Sequence, residues 1–287
     1  MLTMKFAIAT SDSYQCVLEA FLRAGWQLEK LFVSLDNWMY SNQQVIARAL
    51  ELKVDVQHSP VIERDLEELG ARGCDLLVVS CYQWKIPSWE KHIPHAINFH
   101  PSPLPEARGP YPFVRAILDK RTSWAATCHR INEKYDQGDI LAAEHFAMDQ
   151  DENHESLRLK TQMATGRLAG RVAMDLQTLW DAALPQKEGC YWSRWSEQDR
   201  IIDFTAPVET IMRKVRAFGD IECTATINNV TIFIHRAKGW IEPHLAMPGT
   251  VVHANNFVLV VAAADGYIAI TEWGLNAPGA VISSSRR

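Results

Sequence analysis

The stretch "AINFHPSPLPEARGPYP", Ala96–Pro112, decides how the chain is read. It opens as a short apolar run and becomes, after His100, a segment studded with five prolines. Proline fixes φ and removes a backbone donor, so residues 101–112 can extend neither a strand nor a helix. A rigid loop therefore follows the carboxyl end of a buried strand. Asn98 and His100 lie two apart on that strand, and period two puts both side chains on one face. An amide donor beside an imidazole can hold an oxyanion, and a stiff loop keeps its polar neighbours pre-placed. Spacing alone leaves a second reading open, an ordinary strand end capped by a surface loop.

The segments on either side supply the fold. "KFAIAT" (Lys5–Thr10), "KLFVSL" (Lys30–Leu35) and "DLLVVS" (Asp75–Ser80) read as buried strands. "YQCVLEAFLRAGW", "NQQVIARALELK" and "RDLEELGARG" read as helices between them, the first capped near Gly25. Strands alternating with helices predict a parallel, Rossmann-like sheet. Ligands of such sheets bind beyond the carboxyl ends of the strands, where His100 falls. The first strand runs into "TSDSYQ", which lacks the glycines of a dinucleotide loop, and no phosphate loop is present.

"WAATCHRINEKYDQGDILAAEHFAM" (Trp124–Met148) reads as strand, loop, strand. A long helix follows in "NHESLRLKTQMATGRLAGRVAMDLQTLWDAAL" and stops at Pro185. The polar, aperiodic stretch after it reads as a linker, placed at 186–205 between a catalytic domain, 1–185, and a C-terminal domain, 206–287. In the latter, a short helix at 208–218 precedes runs alternating with period two and broken by Asn-Asn, Asn-Asn and Asp-Gly turns. They predict a small antiparallel β domain, barrel-like in the manner of an OB fold.

Composition excludes several classes. The 287 residues are 47% hydrophobic, enough for a large core, and carry a net charge of −5. Nothing in that balance favours bulk binding to nucleic acid or an anionic membrane. No stretch approaches the ~20 apolar residues of a membrane span, and the N-terminus lacks a signal pattern. The six cysteines form no CxxC pair and suit a reducing, cytoplasmic setting. "HIPH" (His92–His95) has ligand-like spacing, but its proline forbids a helical pair and no third ligand is near in sequence; no metal is expected.

Asp136, in "YDQGD", adds a carboxylate on a tight turn. It could orient and charge the imidazole or pass on its proton. Asn98, His100 and Asp136 together make a coherent acyl-transfer set that needs no metal.

At these residues the chain resembles the folate-dependent formyltransferases. The shared signature is Asn98, His100, Ser102, Leu104, Pro105, Arg108 and Gly109, then Asp136 and Gly138. Pro103 departs from it, standing where leucine is common. "RIIDF", "RKVRAFGD", "PGTVV" and "DGYIAI" resemble the C-terminal domain of the tRNA-formylating members. The resemblance implies that 10-formyl-tetrahydrofolate is the donor, bound by Tyr82, Gln83, Trp84, Lys85 and Ile86 on one segment and Tyr135, Gly138 and Asp139 on another. It also implies that a neutral amine attacks the formyl carbon while Asn98 and protonated His100 hold the oxyanion and Asp136 keeps His100 charged.

The acceptor is read from charge. The tRNA branch of the family carries a Lys/Arg-containing insertion after its second strand. Here Ser34–Gln44 holds no Lys or Arg, although phosphate contacts dominate such binding. His129, seven residues before Asp136, resembles the histidine of the sugar and glycinamide branches; a satisfied strand histidine is the alternative reading. The expected acceptor is a small amine, such as a nucleotide-linked amino sugar, with Ser102, Arg108, Tyr111 and His129 as candidate acceptor contacts; Trp38, Tyr40 and Arg115 are weaker ones. Methionyl-tRNA is the principal alternative partner, followed by hydroxyornithine, hydrolysis of the donor, and a nucleic-acid-binding role for the β domain. Gly249–Trp273, with no Lys or Arg, argues against the last. The β domain is expected to serve stability, homodimer contacts or acceptor binding rather than chemistry.

Overall fold

The computed structural model describes residues 3–36 and 41–275. Trp38 and Tyr40 lie outside the described residues, as does part of Ser34–Gln44. By its contacts the chain divides into two compact units. The first comprises Met1–Pro112, Ser123–Ala147 and Leu159–Ser193; the second comprises Phe113–Thr122, Met148–Arg158 and Arg194–Arg287.

The first unit is built on a seven-stranded sheet. Its strands are β1 (Lys5–Ala9), β2 (Gln27–Phe32), β3 (Asp55–Gln57), β4 (Leu76–Ser80), β5 (His95–His100), β6 (Ser123–Arg130) and β7 (Ile140–Ala147), in the order β3-β2-β1-β4-β5-β6-β7. The first five run parallel, as the alternating pattern predicts. β6 runs antiparallel to β5, and β7 to β6, so the sheet is mixed. The helices are α1 (Gln15–Arg23), α2 (Gln43–Glu51) and α3 (Glu63–Ala71). α4 (Pro112–Leu118) falls almost wholly in the second unit, and the long α5 (His154–Asp181), kinked at Asp175, starts in the second unit and continues in the first from Leu159.

Alternation along the strands feeds two cores. Phe6, Ile8, Leu76, Val78, Ile97 and Phe99 pack with α1 and with Leu168, Val172 and Leu176 of α5. Ala7, Ala9, Leu77, Val79 and Ala96 pack on the opposite face with Leu66, Leu69 and Trp89. Asn98 and His100 alternate with Ile97 and Phe99, so they point to the second face. β2 starts three residues earlier than its apolar run suggests. Gly25, at φ +88°, ends α1 in the left-handed region, and the chain enters the sheet directly with Gln27 beside Lys5.

In the second unit, α6 (Val208–Phe218) precedes β8 (Cys223–Ile227), β9 (Val230–Ile241), β10 (Val251–Ala254), β11 (Leu259–Ala262) and β12 (Gly266–Gly274). The strands pair antiparallel in the order β10-β11-β12-β9-β8, an open order among the described residues. Asn228 and Asn229, at φ 49° and 64°, make the two-residue turn that joins β8 to β9. No helix among the described residues is long and apolar enough to cross a membrane.

Candidate active site

The proline loop is held by hydrogen bonds to β6. Thr127 Oγ1 donates to Ser102 O (2.7 Å) and accepts from Leu104 N–H (3.3 Å). Trp124 Nε1 donates to Pro101 O at 2.9 Å, and Ser102 Oγ donates to Glu106 O at 3.0 Å. The loop then reaches Ala107, at φ +55°, whose carbonyl lies 3.2 Å from His100 Nε2. Stiffness thus comes from cross-strand bonds as well as from the prolines. Ser102 is fully buried and spent on this network.

Asp136 arrives by a less direct route. Ile131, just past β6, donates to Ala96 O, so the loop leaves beside the start of β5. It must fold back by about 13 Å along the strand to reach His100. Asp136 Oδ1 then lies 3.4 Å from His100 Nδ1, and its Oδ2 accepts Gly109 N–H at 2.9 Å. The carboxylate and the Ala107 carbonyl thus face the two ring nitrogens of His100 from opposite sides of the ring. The fold-back needs Gly138: a Cβ there would stand 1.9 Å from Arg130 O. Asp136 itself takes φ +57°, a left-handed conformation that Asp tolerates better than most residues.

His129 lies opposite Asn98 in the β5–β6 register. Its Nε2 is 3.1 Å from Asn98 Nδ2, its Nδ1 is 2.7 Å from Arg130 O, and its Nε2 is 3.9 Å from Asp136 Oδ1. The ring is 3% exposed. Burial, and next the nearby His100, push its pKa down to about 4, against the pull of Asp136. It is therefore neutral at pH 7, with Nδ1–H donating to the carbonyl and Nε2 accepting from the Asn98 amide. That bond leaves Asn98 a second N–H to offer. His129 thus sits behind Asn98 and presents little surface to a ligand.

Residues 186–193, read above as the start of a linker, run alongside both loops. Gln186 Nε2 donates to Asp136 O (2.9 Å) and Gly138 O (2.8 Å). Arg108 Nε and Nη2 donate to Gln186 Oε1 at 3.0 and 2.8 Å, and Nη2 also donates to Lys187 O. Arg108 N–H and C=O pair with Cys190 O and Trp192 N–H. Arg108, a candidate acceptor contact, is committed to this network. Gln186 escapes sequence reading because side-chain bonds to main-chain carbonyls leave no periodic signal.

The expected donor-binding residues are scattered. Lys85 and Ile86 line a cleft of about 460 Å³ together with Ile62, Trp89, Asn132 and Glu133. Tyr82 instead accepts Val61 N–H (3.2 Å) and stands edge-on to Trp84, and burial pushes its pKa up to about 12. Gln83 N–H donates to Ser34 Oγ, and Asp139 pairs with Arg130 at 3.2 Å. Tyr135 is 58% exposed, and Tyr111 sits half-buried at φ +57°. In "HIPH", His95 Nδ1 lies 3.2 Å from Asp75 O, while His92 Nε2 lies 3.5 Å from Glu63. Glu63, Glu67 and His92 bring ligand atoms within 4.8 Å of one another, but both acids are exposed and the trio lies apart in sequence from the loops that carry Ala107 and Asp136.

A neutral amide donor, an imidazole and a carboxylate converge on one strand end, groups able to hold a developing oxyanion. Residues 40–172 match the model of formyl transferases, and residues 194–279 match that of the formyl transferase C-terminal domain. These spans cover most of the chain, and it belongs to the formyl transferase family. The methionyl-tRNA formyltransferase of Coprothermobacter proteolyticus is 28% identical over 197 residues, 68% of this chain and 64% of the relative. An N-formyltransferase from Helicobacter canadensis, solved with folinic acid and dTDP-3-aminofucose, superposes with TM-score 0.69 at 15% identity, over 95% of this chain and all of its own. HypX from Aquifex aeolicus, solved with tetrahydrofolic acid, gives 0.64 at 19% identity; 94% of this chain matches 44% of HypX. The chain thus spans under two thirds of the first of these and under half of the last.

Proposed function

We propose that this formyltransferase takes its formyl group from 10-formyl-tetrahydrofolate and delivers it to the primary amine of a small acceptor, a nucleotide-linked amino sugar. The observation that carries the chemistry is the convergence of Asn98, His100 and Asp136, with Asp136 anchored by Gly109 N–H. The neutral amine attacks the formyl carbon, and the C=O becomes an oxyanion. Asn98 offers its second N–H to that oxygen and His100 offers positive charge. The amine proton leaves by way of the His100–Asp136 pair, and the folate nitrogen departs with a proton as C–N cleaves. The cleft lined by Lys85, Ile86, Asn132 and Glu133 is of a size for a heterocycle, and its Glu133 lies three residues before Asp136. This supports placing the donor there.

The acceptor reading rests on charge: no Lys or Arg in Ser34–Gln44, and a net charge of −5. The dTDP-3-aminofucose bound to the Helicobacter canadensis neighbour is a nucleotide-linked amino sugar. The methionyl-tRNA formyltransferase relatives favour a second reading, formylation of charged initiator tRNA. A screen with 10-formyl-tetrahydrofolate and three acceptors decides between them: nucleotide-linked amino sugars, hydroxyornithine and methionyl-tRNA. Turnover of an amino sugar is expected, along with tRNA binding that is weak at physiological salt. Efficient tRNA formylation with no activity on small amines would promote the second reading.

A further inference from the structure

We infer that Gln186 is a positioning residue for Asp136, clamped in turn by Arg108. The inference rests on the role of Asp136 proposed above. All four hydrogen-bonding positions of the Gln186 amide are filled. Its two N–H groups go to the carbonyls on either side of Gln137, Asp136 O and Gly138 O, and its oxygen takes two bonds from Arg108. Asp136 sits in the left-handed region at φ +57°, a conformation that neighbouring contacts must hold. Turning that peptide would move the carboxylate off both His100 Nδ1 and Gly109 N–H. Arg108 closes the circuit, since it immediately precedes Gly109, whose N–H grips the carboxylate. The ring of bonds therefore runs from the Asp136 carboxylate through Gly109 and Arg108 to Gln186, and back to the Asp136 carbonyl.

Only an amide suits this position. A glutamate would still accept from Arg108 but would face two carbonyls with no donor. Gln186→Glu therefore separates positioning from packing: a packing role predicts that it is tolerated, whereas a positioning role predicts that it fails as Gln186→Met does. We expect either substitution to cut kcat roughly tenfold or more with little change in donor affinity. In an Asp136→Asn background, Gln186→Met should cost little further, because the group it places has already been changed.

A readout independent of activity comes from Gly109. Labelling arginine carbonyl carbons and glycine nitrogens isolates two amide signals, from Arg72–Gly73 and Arg108–Gly109. Asp136→Asn should shift the Gly109 signal, the Gln186 variants should shift it the same way, and Gly73 should stay. Arg108→Met, which frees the Gln186 oxygen, gives a second route should Gln186→Met not fold. An unmoved Gly109 signal with near-normal kcat in Gln186→Glu would overturn the inference, as would full additivity with Asp136→Asn. If Asp136→Asn shifts Gly109 but leaves turnover intact, the proposed chemistry fails and the positioning stands.

Discussion

His129 and Asn98 face each other across the pairing of β5 with β6 and share one hydrogen bond, 3.1 Å from Nδ2 to Nε2. Because burial keeps the imidazole neutral, its Nε2 lone pair accepts one N–H of the amide and leaves the other to offer. His129→Leu keeps the volume and removes the acceptor. It should cut kcat roughly tenfold and leave donor affinity nearly unchanged. Measuring the two separately tests this, and a loss confined to acceptor KM would return His129 to an acceptor-contact role.

Asn98→Ala, His100→Ala and Asp136→Ala should each reduce turnover about 100-fold or more, since each acts on charge that develops in the transition state. Equilibrium binding of the donor should change by only a few-fold. Retained turnover in His100→Ala would remove the central residue of the assignment.

Gly138→Ala should be more damaging than its size suggests. The new Cβ has no room beside Arg130 O, which is main chain and cannot swing aside. The turn must lift, and Asp136 lifts with it. We expect a kcat loss close to that of Asp136→Ala, with the rest of the fold retained by circular dichroism.

Stability should fall in mild acid. Burial first, then Arg158, push the pKa of His154 down to about 4, from an ordinary 6.5. Below about pH 6.5 the unfolded chain binds a proton that the folded chain refuses until about pH 4. Stability is thus full above that window and is lost as pH falls through it, by on the order of 3 kcal/mol for this group. His129 adds a loss of the same sign. Urea midpoints between pH 7 and 4.5 should show the slope, and His154→Leu should flatten it.

Thiol labelling of the native protein should be selective. Cys190 is exposed, whereas burial raises the Cys74 and Cys223 thiols to about 11 and 12 and pushes Cys128 up further. Ellman's reagent at pH 8 should show one fast thiol, absent in Cys190→Ser, and release the buried three only in denaturant.

What the sequence reveals and hides follows from the range of the interactions. Asn98 and His100 are legible because alternation on a strand is local, and Asp136 because its turn carries its own glycine. β3 is hidden, being three residues with a polar majority, and α4 is masked by the prolines before it. Only register shows His129 opposite Asn98. The contribution of Gln186 depends on a meeting of segments fifty residues apart, which no local pattern encodes.

That separation has a consequence during synthesis. The chain emerges from its amino end, and residue 186 follows residue 136 by roughly 3–10 s at ordinary elongation rates. Once β7 is made, within that interval, all seven strands and the whole sequence motif are present while the turn bearing Asp136 still lacks its clamp. A nascent or prematurely ended chain therefore carries the signature without the Gln186 bonds to Asp136 O and Gly138 O.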